Sequence, residues 1–508
     1  MARTGTATRE RSTTTRADRT NGQSRRQEKT AKITLEELVR QTKAGEVDTV
    51  IIAIADLQGR LMGKRLTGPY FLDHVDEGLH ACDYLLAMDI DNEPLPGFKF
   101  TNWGTGYGDM HGHPDLSTIR RIPWLEKTAL ILCDVETMDG KAVPVAPRQV
   151  LRRQIDRARK LGFNPKTGSE LEFYLFKDTY EQAAERDYRD LQPYGRYIED
   201  YHILQGTKAE WFNRLIRNGM EGAGVPVENS KGEWGFGQQE INLRFTESLE
   251  MADRHVVYKN GVKEIAALNQ VAVTFMAKWS MAQAGSSFHL HSSLWDVKSD
   301  KALFHSANGG PHGMSPLFQH YLAGLIALAR DFSLFYAPFV NSYKRYQATS
   351  FAPTSIVWSW DNRTCGFRII GHGSGLRVEC RIPGADANPY LAFAATIAAG
   401  LHGIENKLEL PPEFHGDAYT AKNLPRVPSN LTEAINALEK SQVARAAFGD
   451  EVVEHYLHSA RLERQSFDGA VTDWELRRNF ERILPLSSVR LDRDGETGGC
   501  GSPAGQRL

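Results

Sequence analysis

The chain has 508 residues, 41% of them apolar and 24% charged, and its 61 basic and 63 acidic side chains leave a formal net charge of −2. That balance excludes a global field for nucleic acid or an anionic membrane, no apolar run reaches membrane-spanning length, and the size calls for about two cores rather than one. Cys82, Cys133, Cys365, Cys380 and Cys500 lie far apart without a CxxC pair, so a disulfide framework and a thiolate zinc site are both unexpected and the chain reads as a cytoplasmic protein with reduced thiols.

Residues 1–32, rich in Thr, Ser, Arg and Gln, predict a disordered basic tail. Glu10, Asp18 and Glu28 interrupt its arginines and no apolar stripe accompanies them, unlike a transit peptide or a secretory signal. Thr34 with Glu37 predicts a capped helix start carrying Leu35, Leu38 and Val39. Val47 to Ala55 reads as a strand, Asp56-Leu57-Gln58-Gly59 as a turn, and the following residues through Leu66 as a second strand. Short strands and turns continue to Asp139, so residues 33–143 form a small β-rich domain that ends at the Pro144-Val145-Ala146-Pro147 junction. Residues 144–492 mix strands with helices expected at Leu151–Leu161, Met251–Leu268, Pro316–Phe332 and Ala385–Gly400, and residues 493–508 read as a second disordered tail. Neither GxxxxGK[ST] nor a strand–GxGxxG–helix occurs, so P-loop and Rossmann nucleotide chemistry are unsupported.

Four segments of the larger region place charged or imidazole groups on one strand face and apolar groups on the other. They are Glu170–Phe176, Glu240–Phe245, Phe288–Ser293 and Arg377–Arg381. With a side-chain period of two, Glu170 and Glu172 share a face, as do Glu240, Asn242 and Arg244, His289 and His291, and Arg377, Glu379 and Arg381. One such strand is an ordinary solvated face. Four of them predict a curved sheet whose inner, wet face is a metal and anion site, because clustered carboxylates repel without cations and arginines bind phosphate and carboxylate. A His-x-His zinc hydrolase is the weaker alternative, since no third nitrogen or sulfur ligand forms a motif with the pair.

In this order along the chain, Gly168-Ser169-Glu170-Leu171-Glu172, Glu233-Trp234-Gly235-Phe236-Gly237-Gln238-Gln239-Glu240, Gly285-Ser286-Ser287-Phe288-His289-Leu290-His291, Asn341-Ser342-Tyr343-Lys344-Arg345, Asn362-Arg363, Arg368 and Arg377-Val378-Glu379-Cys380-Arg381 resemble the glutamine synthetase superfamily over nearly the whole ordered length. The resemblance implies an α+β fold: an N-terminal β-grasp-like domain, then a catalytic domain whose curved antiparallel sheet, a half-barrel, is backed by helices. It implies ATP as cosubstrate and two to three Mg²⁺ or Mn²⁺ ions, one held by Glu172, Glu233 and Glu240 and another by Glu170, His289 and Glu379. It implies nucleotide contacts at His291, Ser293 and Arg377, substrate contacts at Arg345, Arg381 and Gly285, catalytic arginines at Arg363 and Arg368, and a homododecamer of two hexameric rings with shared active sites.

The departures from that family point to the substrate. Where glutamine synthetases carry the ammonium-site glutamate, this chain has Phe351, whose ring suits an alkyl chain. Ala284 replaces an asparagine near the glutamate amino acid group, and Ser374 a lysine on the nucleotide side. The ammonium-site aspartate loop, which the family supplies from a neighbouring subunit, reads Ala81-Cys82-Asp83-Tyr84, leaving Asp83 as candidate base. These changes resemble the branch that joins glutamate to organic amines, of the actinobacterial γ-glutamylethanolamide or γ-glutamylpolyamine type. The expected function is therefore an ATP-dependent glutamate–amine ligase, with ordinary glutamine synthetase and a non-catalytic ring protein as alternatives. Tyr419, near a site of adenylylation in some bacterial relatives, is expected to be a plain surface tyrosine.

Overall fold

The computed structural model describes residues 32–482. The expectations for residues 1–31 and 493–508 lie outside those residues. The described residues to Arg464 pack as one compact unit; a second, from Gln465, carries the helix Asp473–Asn479, which opens on a capping box in which Thr472 Oγ1 accepts from Glu475 N and the Glu475 carboxylate accepts from Thr472 N.

The described strands form two sheets. The first contains β1 (Thr49–Ala55), β2 (Leu61–Thr67), β3 (Leu79–Cys82), β4 (Asp109–Pro114), β5 (Arg120–Arg121) and β6 (Thr128–Thr137), in the order β2-β1-β6-β4-β3 with β5 also on β6. Only the β1–β6 pair in this sheet is parallel. Its central strand β6 is buried without interruption from Thr128 to Cys133, as expected for a strand covered on both faces, whereas Gly63, Lys64 and Arg65 on edge strand β2 are exposed. The Asp56–Gly59 turn forms as expected, with Asp56 Oδ1 accepting from the backbone N–H groups of Gln58 and Arg60.

The second sheet contains β7 (Phe163–Phe176), β8 (Val227–Gly232), β9 (Gln238–Glu247), β10 (Ala272–Thr274), β11 (Phe288–Asp296), β12 (Trp358–Trp360), β13 (Phe367–Ile370) and β14 (Arg377–Cys380), in the order β12-β13-β14-β11-β7-β9-β8, with β10 also on β7. The sheet is mixed rather than wholly antiparallel, because β12 runs parallel to β13. Its apolar face, including Leu171, Phe173, Ile241, Phe288 and Leu290, is buried against helices; Phe288 meets His255 of the helix Ser248–Leu268 and Phe393 of the helix Pro389–Glu405 edge-on.

The expected helices differ at their ends: those expected from Leu151 and Met251 start earlier, at Pro147 and Ser248. The helix from Pro316 ends at Leu328, and a separate turn, Ser333–Tyr336, follows. Residues 385–388 lie outside the helix expected from Ala385, because Asn388 is its cap: its side-chain oxygen accepts from Tyr390 N and Pro389 takes the first turn, where a missing N–H costs nothing. The Asn388 amide also donates to Asp56 O at 3.1 Å and Leu57 O at 3.0 Å, so this cap ties the β1–β2 turn to the larger sheet's helix.

Burial makes two stability predictions. Arg148, in the helix Pro147–Lys160, is 3% exposed and donates to Asp253, Asp134 and Asp115. Asp253 is itself buried, so Arg148→Ala leaves an uncompensated interior carboxylate and is expected to cost about 3 kcal/mol or more in denaturant unfolding; a loss below about 1 kcal/mol contradicts this. His455, in the helix Asp450–Gly469, is buried with Nε2 donating to Leu86 O at 2.8 Å. Burial pushes its imidazole down to about 4, although the Leu86 contact favours the charged form. The unfolded chain thus takes up a proton first, so stability falls as pH drops from about 6.5 towards 4, by about 3 kcal/mol at the lower end. His455→Gln is expected to flatten that slope in urea unfolding at pH 7 and 4.5; an unchanged slope refutes the assignment.

Candidate active site

Register brings the polar groups of the second sheet together. His289 on β11 faces Glu170 on β7, Glu172 on β7 faces Glu240 on β9, His291 on β11 faces Glu379 on β14, and Glu379 faces Arg368 on β13. Directly opposed side chains in adjacent strands have Cβ atoms about 5 Å apart, so one face carries a contiguous acidic and imidazole cluster. The face is only partly wet: Glu172, Glu240 and His289 are at most 6% exposed and Glu379 is fully buried, whereas Glu170 and Asn242 are part-exposed and Arg244 is exposed.

Ligand atoms of Glu172, Glu233 and Glu240 lie within 4.8 Å of one another, the trio expected for one ion. His289 Nδ1 lies 3.4 Å from Glu170 and 3.6 Å from Glu379, the trio expected for the other. The structure widens this second group: Glu240 also clusters with Glu170 and His289, and His291 Nε2 sits 2.8 Å from Glu170. His291, expected at the nucleotide, therefore touches the acidic cluster too.

Electrostatics follow from burial and neighbours. Burial pushes Glu172 up to about 7, with Glu240 adding repulsion. Burial also lifts Glu240 to about 7 against the pull of Lys231, with Glu170 adding repulsion. Burial alone would raise Glu379 as well, but Arg381 and His289 hold it down at about 2. Burial, with Arg381, lowers His289 to about 4, so it is a neutral donor at ordinary pH. A neutral imidazole and several carboxylates form a donor set for Mg²⁺ or Mn²⁺, and the buried His289 Nε2 has no hydrogen-bond partner. The residues fit a divalent ion.

Two cavities meet here. One, of about 460 Å³, is lined by the acidic cluster together with Gly285, Phe351, Arg363, Arg368 and Arg381. The other, of about 310 Å³, is lined by His291, Ser293 and Arg377, with Ser374 among its neighbours. Glu170 and Asn242 line both. Arg377 Nε donates to His291 Nδ1 at 3.2 Å, which turns Nε2 towards Glu170.

The arginines divide into two kinds. Arg368 donates to Asp361 at 2.5 and 2.9 Å and to Glu379 at 2.9 Å, Arg381 donates to Glu379 at 2.5 Å and to Phe351 O at 3.2 Å, and Arg363 stands half-exposed beside the cavity. Arg345 is different. It is 1% exposed, lines neither cavity, and donates to the backbone carbonyls of Arg381 and Ile382 and to Ser287 Oγ. The structure thus makes Arg345 a brace behind the wall instead of a group on it. Gly285 provides its room, since a Cβ there would stand 2.6 Å from Arg345 Cγ.

Asp83 belongs to a loop that the resemblance assigns to a neighbouring subunit's site. It lines neither cavity of its own chain, and its Oδ1 accepts from Thr101 Oγ1 at 2.5 Å in the first sheet's region. Tyr419 is half-buried, and its hydroxyl donates to Ala352 O at 3.0 Å, bracing the residue after Phe351.

Sequence reasoning missed several groups at the cavities. Lys231, opposite Glu240 on β8, contacts Glu233 and lies 3.7 Å from Glu240 and 3.9 Å from Asp200. Its position two residues before Glu233 was the available signal. Gln238 Nε2 and Ser287 N both donate to Glu172 Oε2, fixing that carboxylate. Trp234 packs edge-to-face on Phe351 with ring centres 5.7 Å apart, and both rings are about half-exposed at the larger cavity. Phe351 has φ +59°, a strained conformation for an aromatic residue, held by Arg381 on its carbonyl. In the other cavity Phe245 stacks on Trp295, and the Lys166 ammonium lies 4.0 Å from the Trp295 ring centre.

A buried, oxygen-rich cluster that fits divalent ions on a mixed sheet, with arginines on one cavity and aromatic and basic groups on the adjoining one, matches the equipment of the phosphoryl-handling, metal-dependent class. More particularly, the chain belongs to the glutamine synthetase family: residues 144–479 match the model of the glutamine synthetase catalytic domain. Its fold is that family's α+β arrangement, a nearly closed half-barrel backed by helices. It is 50% identical over 457 residues to a γ-glutamylethanolamide synthetase of Streptomyces coelicolor, covering 90% of this chain and 97% of the relative. It is 37% identical over 441 residues to a glutamate–isopropylamine ligase of a Pseudomonas species, covering 86% of this chain and 96% of that one. A solved structure of GmaS in complex with ADP superposes with a TM-score of 0.75 at 27% identity, covering 87% of this chain and 99% of that one.

Proposed function

We propose that this chain is an ATP-dependent ligase joining the γ-carboxylate of glutamate to a small organic amine. The observation that carries the reading is Phe351 at the larger cavity, paired with Trp234: this corner offers an alkyl-sized apolar wall where ammonium would need an anionic cage. The names of the two relatives, an ethanolamide synthetase and an isopropylamine ligase, support the same class.

Glu172, Glu233 and Glu240 would hold one divalent ion, and Glu170, His289 and Glu379 another. When bound, such ions neutralise charge on phosphate oxygens. His291, Ser293 and Arg377 line the nucleotide cavity in this reading, and Glu170 stands where it meets the substrate cavity. A γ-carboxylate oxygen attacks the γ-phosphorus, the bond to ADP breaks, and γ-glutamyl phosphate forms. Arg363, Arg368 and Arg381 orient and offset the anionic groups. The amine nitrogen then attacks the acyl carbon, phosphate leaves, and the nitrogen gives up a proton. Asp200 lines the cavity with Tyr201 and Phe351 and belongs to neither metal trio, so it stands as candidate base alongside Asp83, which a neighbouring subunit would supply.

The test is ATP-dependent phosphate release with glutamate and Mg²⁺ across ammonium, methylamine, isopropylamine, ethanolamine, putrescine and spermidine. Turnover with an organic amine and little with ammonium supports the reading and names the amine. Ammonium as best substrate, or no turnover with any amine, rejects it. The family likeness also supports a dodecamer of two hexameric rings, which light scattering checks, and the four free thiols among the described residues support a cytoplasmic site. No helix among the described residues is long and apolar enough to cross a membrane.

A further inference from the structure

The first sheet carries a second cluster of ligating groups that the ligase chemistry does not use. His111 and His113 lie two residues apart on β4 and so on one face, and Glu136 lies directly opposite His111 on β6. One ligand atom from each of the three falls within 4.8 Å of the others. None of the three lines either cavity of the candidate active site. We propose that His111, His113 and Glu136 bind a divalent transition-metal ion of the zinc class.

Three features carry the assignment beyond proximity. First, the His111 ring is pre-set. Its Nε2 lies 2.8 Å from Glu77 O, and a carbonyl can only accept, so Nε2 carries the proton and the lone pair sits on Nδ1. Nδ1 is the atom that faces Glu136, at 4.0 Å. An imidazole that donates to a backbone carbonyl while aiming its other nitrogen at a carboxylate is the arrangement that orients a metal-binding histidine.

Second, the backbone is built to hold that carbonyl in place. Gly78, next to Glu77, has φ +58°, and a Cβ there would stand 2.3 Å from Gly112 O and 3.0 Å from His111 Nε2. Only glycine lets this turn approach β4 so closely.

Third, the neighbouring acid is already committed. Asp134, opposite His113, is bonded to Arg148 and Arg152, which leaves Glu136 as the carboxylate of this patch. The alternating face is apolar and buried at Met110, Cys133 and Val135, so the ligands share the accessible side of the sheet.

The donor set decides the class of ion. Two imidazoles and one carboxylate suit Zn²⁺, or Co²⁺ in its place, whereas Mg²⁺ prefers oxygen. The fourth tetrahedral position falls to water or to His80, which lies opposite His111 on β3 with ring centres 5.4 Å apart. An ion here would cross-link β4 to β6.

The test uses the full-length protein stripped with a chelator and re-equilibrated in Mg²⁺. Equilibrium dialysis against Zn²⁺ is expected to show one more ion per chain in wild type than in His113→Ala, whose exposed side chain can be removed without opening the core. Glu136→Gln is expected to lose the same ion. Both variants keep amine-dependent turnover in Mg²⁺. Crystals soaked in Zn²⁺ are expected to give an anomalous peak between the three side chains. Equal stoichiometry in wild type and both variants, or zinc peaks confined to the catalytic carboxylates, overturns the proposal and leaves the ligase reading intact.

Discussion

Glu379→Gln is expected to lower kcat/KM for amine-dependent phosphate release by about 10³-fold, or about 4 kcal/mol. Glu379 is fully buried and opposes both Arg368 and Arg381 while lying 3.6 Å from His289. The amide keeps the volume and one acceptor but removes the negative charge. In the proposed reading one ion would lose a carboxylate ligand, and the two guanidinium groups lose the countercharge that holds them at the cavity wall. Glutamine is the right substitution because alanine would open a void beside the buried Arg381 and strip it of its side-chain partner, at a cost in folding stability as well. The measurement is a set of steady-state rates over a Mg²⁺ series, with unfolding midpoints as the folding control. A variant within threefold of wild type at every Mg²⁺ concentration would remove Glu379 from the site.

The second large effect concerns amine choice. Phe351→Glu is expected to raise kcat/KM with ammonium by about a hundredfold and to lower it with ethanolamine by about tenfold, a swing of about 4 kcal/mol in selectivity. The Phe351 ring is half-exposed at the cavity and packs on Trp234. A carboxylate there supplies the anionic partner that ammonium needs and removes the apolar contact that an alkyl chain needs. The backbone at 351 has positive φ and is held by Arg381, so the new side chain would start from the same place on the wall. Unchanged selectivity would mean that discrimination lies elsewhere, with Tyr201 and Asp200 the next groups to vary.

The readable part of this site was the part written in strand alternation. Glu170 and Glu172, His289 and His291, and Glu240 lie on strands where a period of two fixes the face, and cross-strand register then joins them. What alternation leaves open is how far a face is covered, and burial of Glu172, Glu240 and Glu379 needed the three-dimensional packing. Loop groups were harder. Trp234 follows a recognisable glutamate, but its contact with Phe351 joins segments more than a hundred residues apart. Arg345 sits in a motif that suggested a substrate contact, yet its direction is set by Gly285 and by carbonyls of residues 381 and 382, which no local pattern reveals. Asn388 falls inside the helix expected from Ala385 and proves to be its cap, which also binds the β1–β2 turn, a role defined by partners over three hundred residues away. The helix from Pro316 ended early because its apolar periodicity runs on through a turn.

The most direct measurement is a competition in one vessel. Glutamate labelled with ¹⁸O in its side-chain carboxylate, ATP and Mg²⁺ are mixed with equal concentrations of ammonium and ethanolamine, and the products are weighed by mass spectrometry. A γ-glutamyl phosphate route to an organic amine predicts γ-glutamylethanolamide as the main product and one ¹⁸O transferred to inorganic phosphate. Glutamine as the main product, or phosphate free of label, would contradict it.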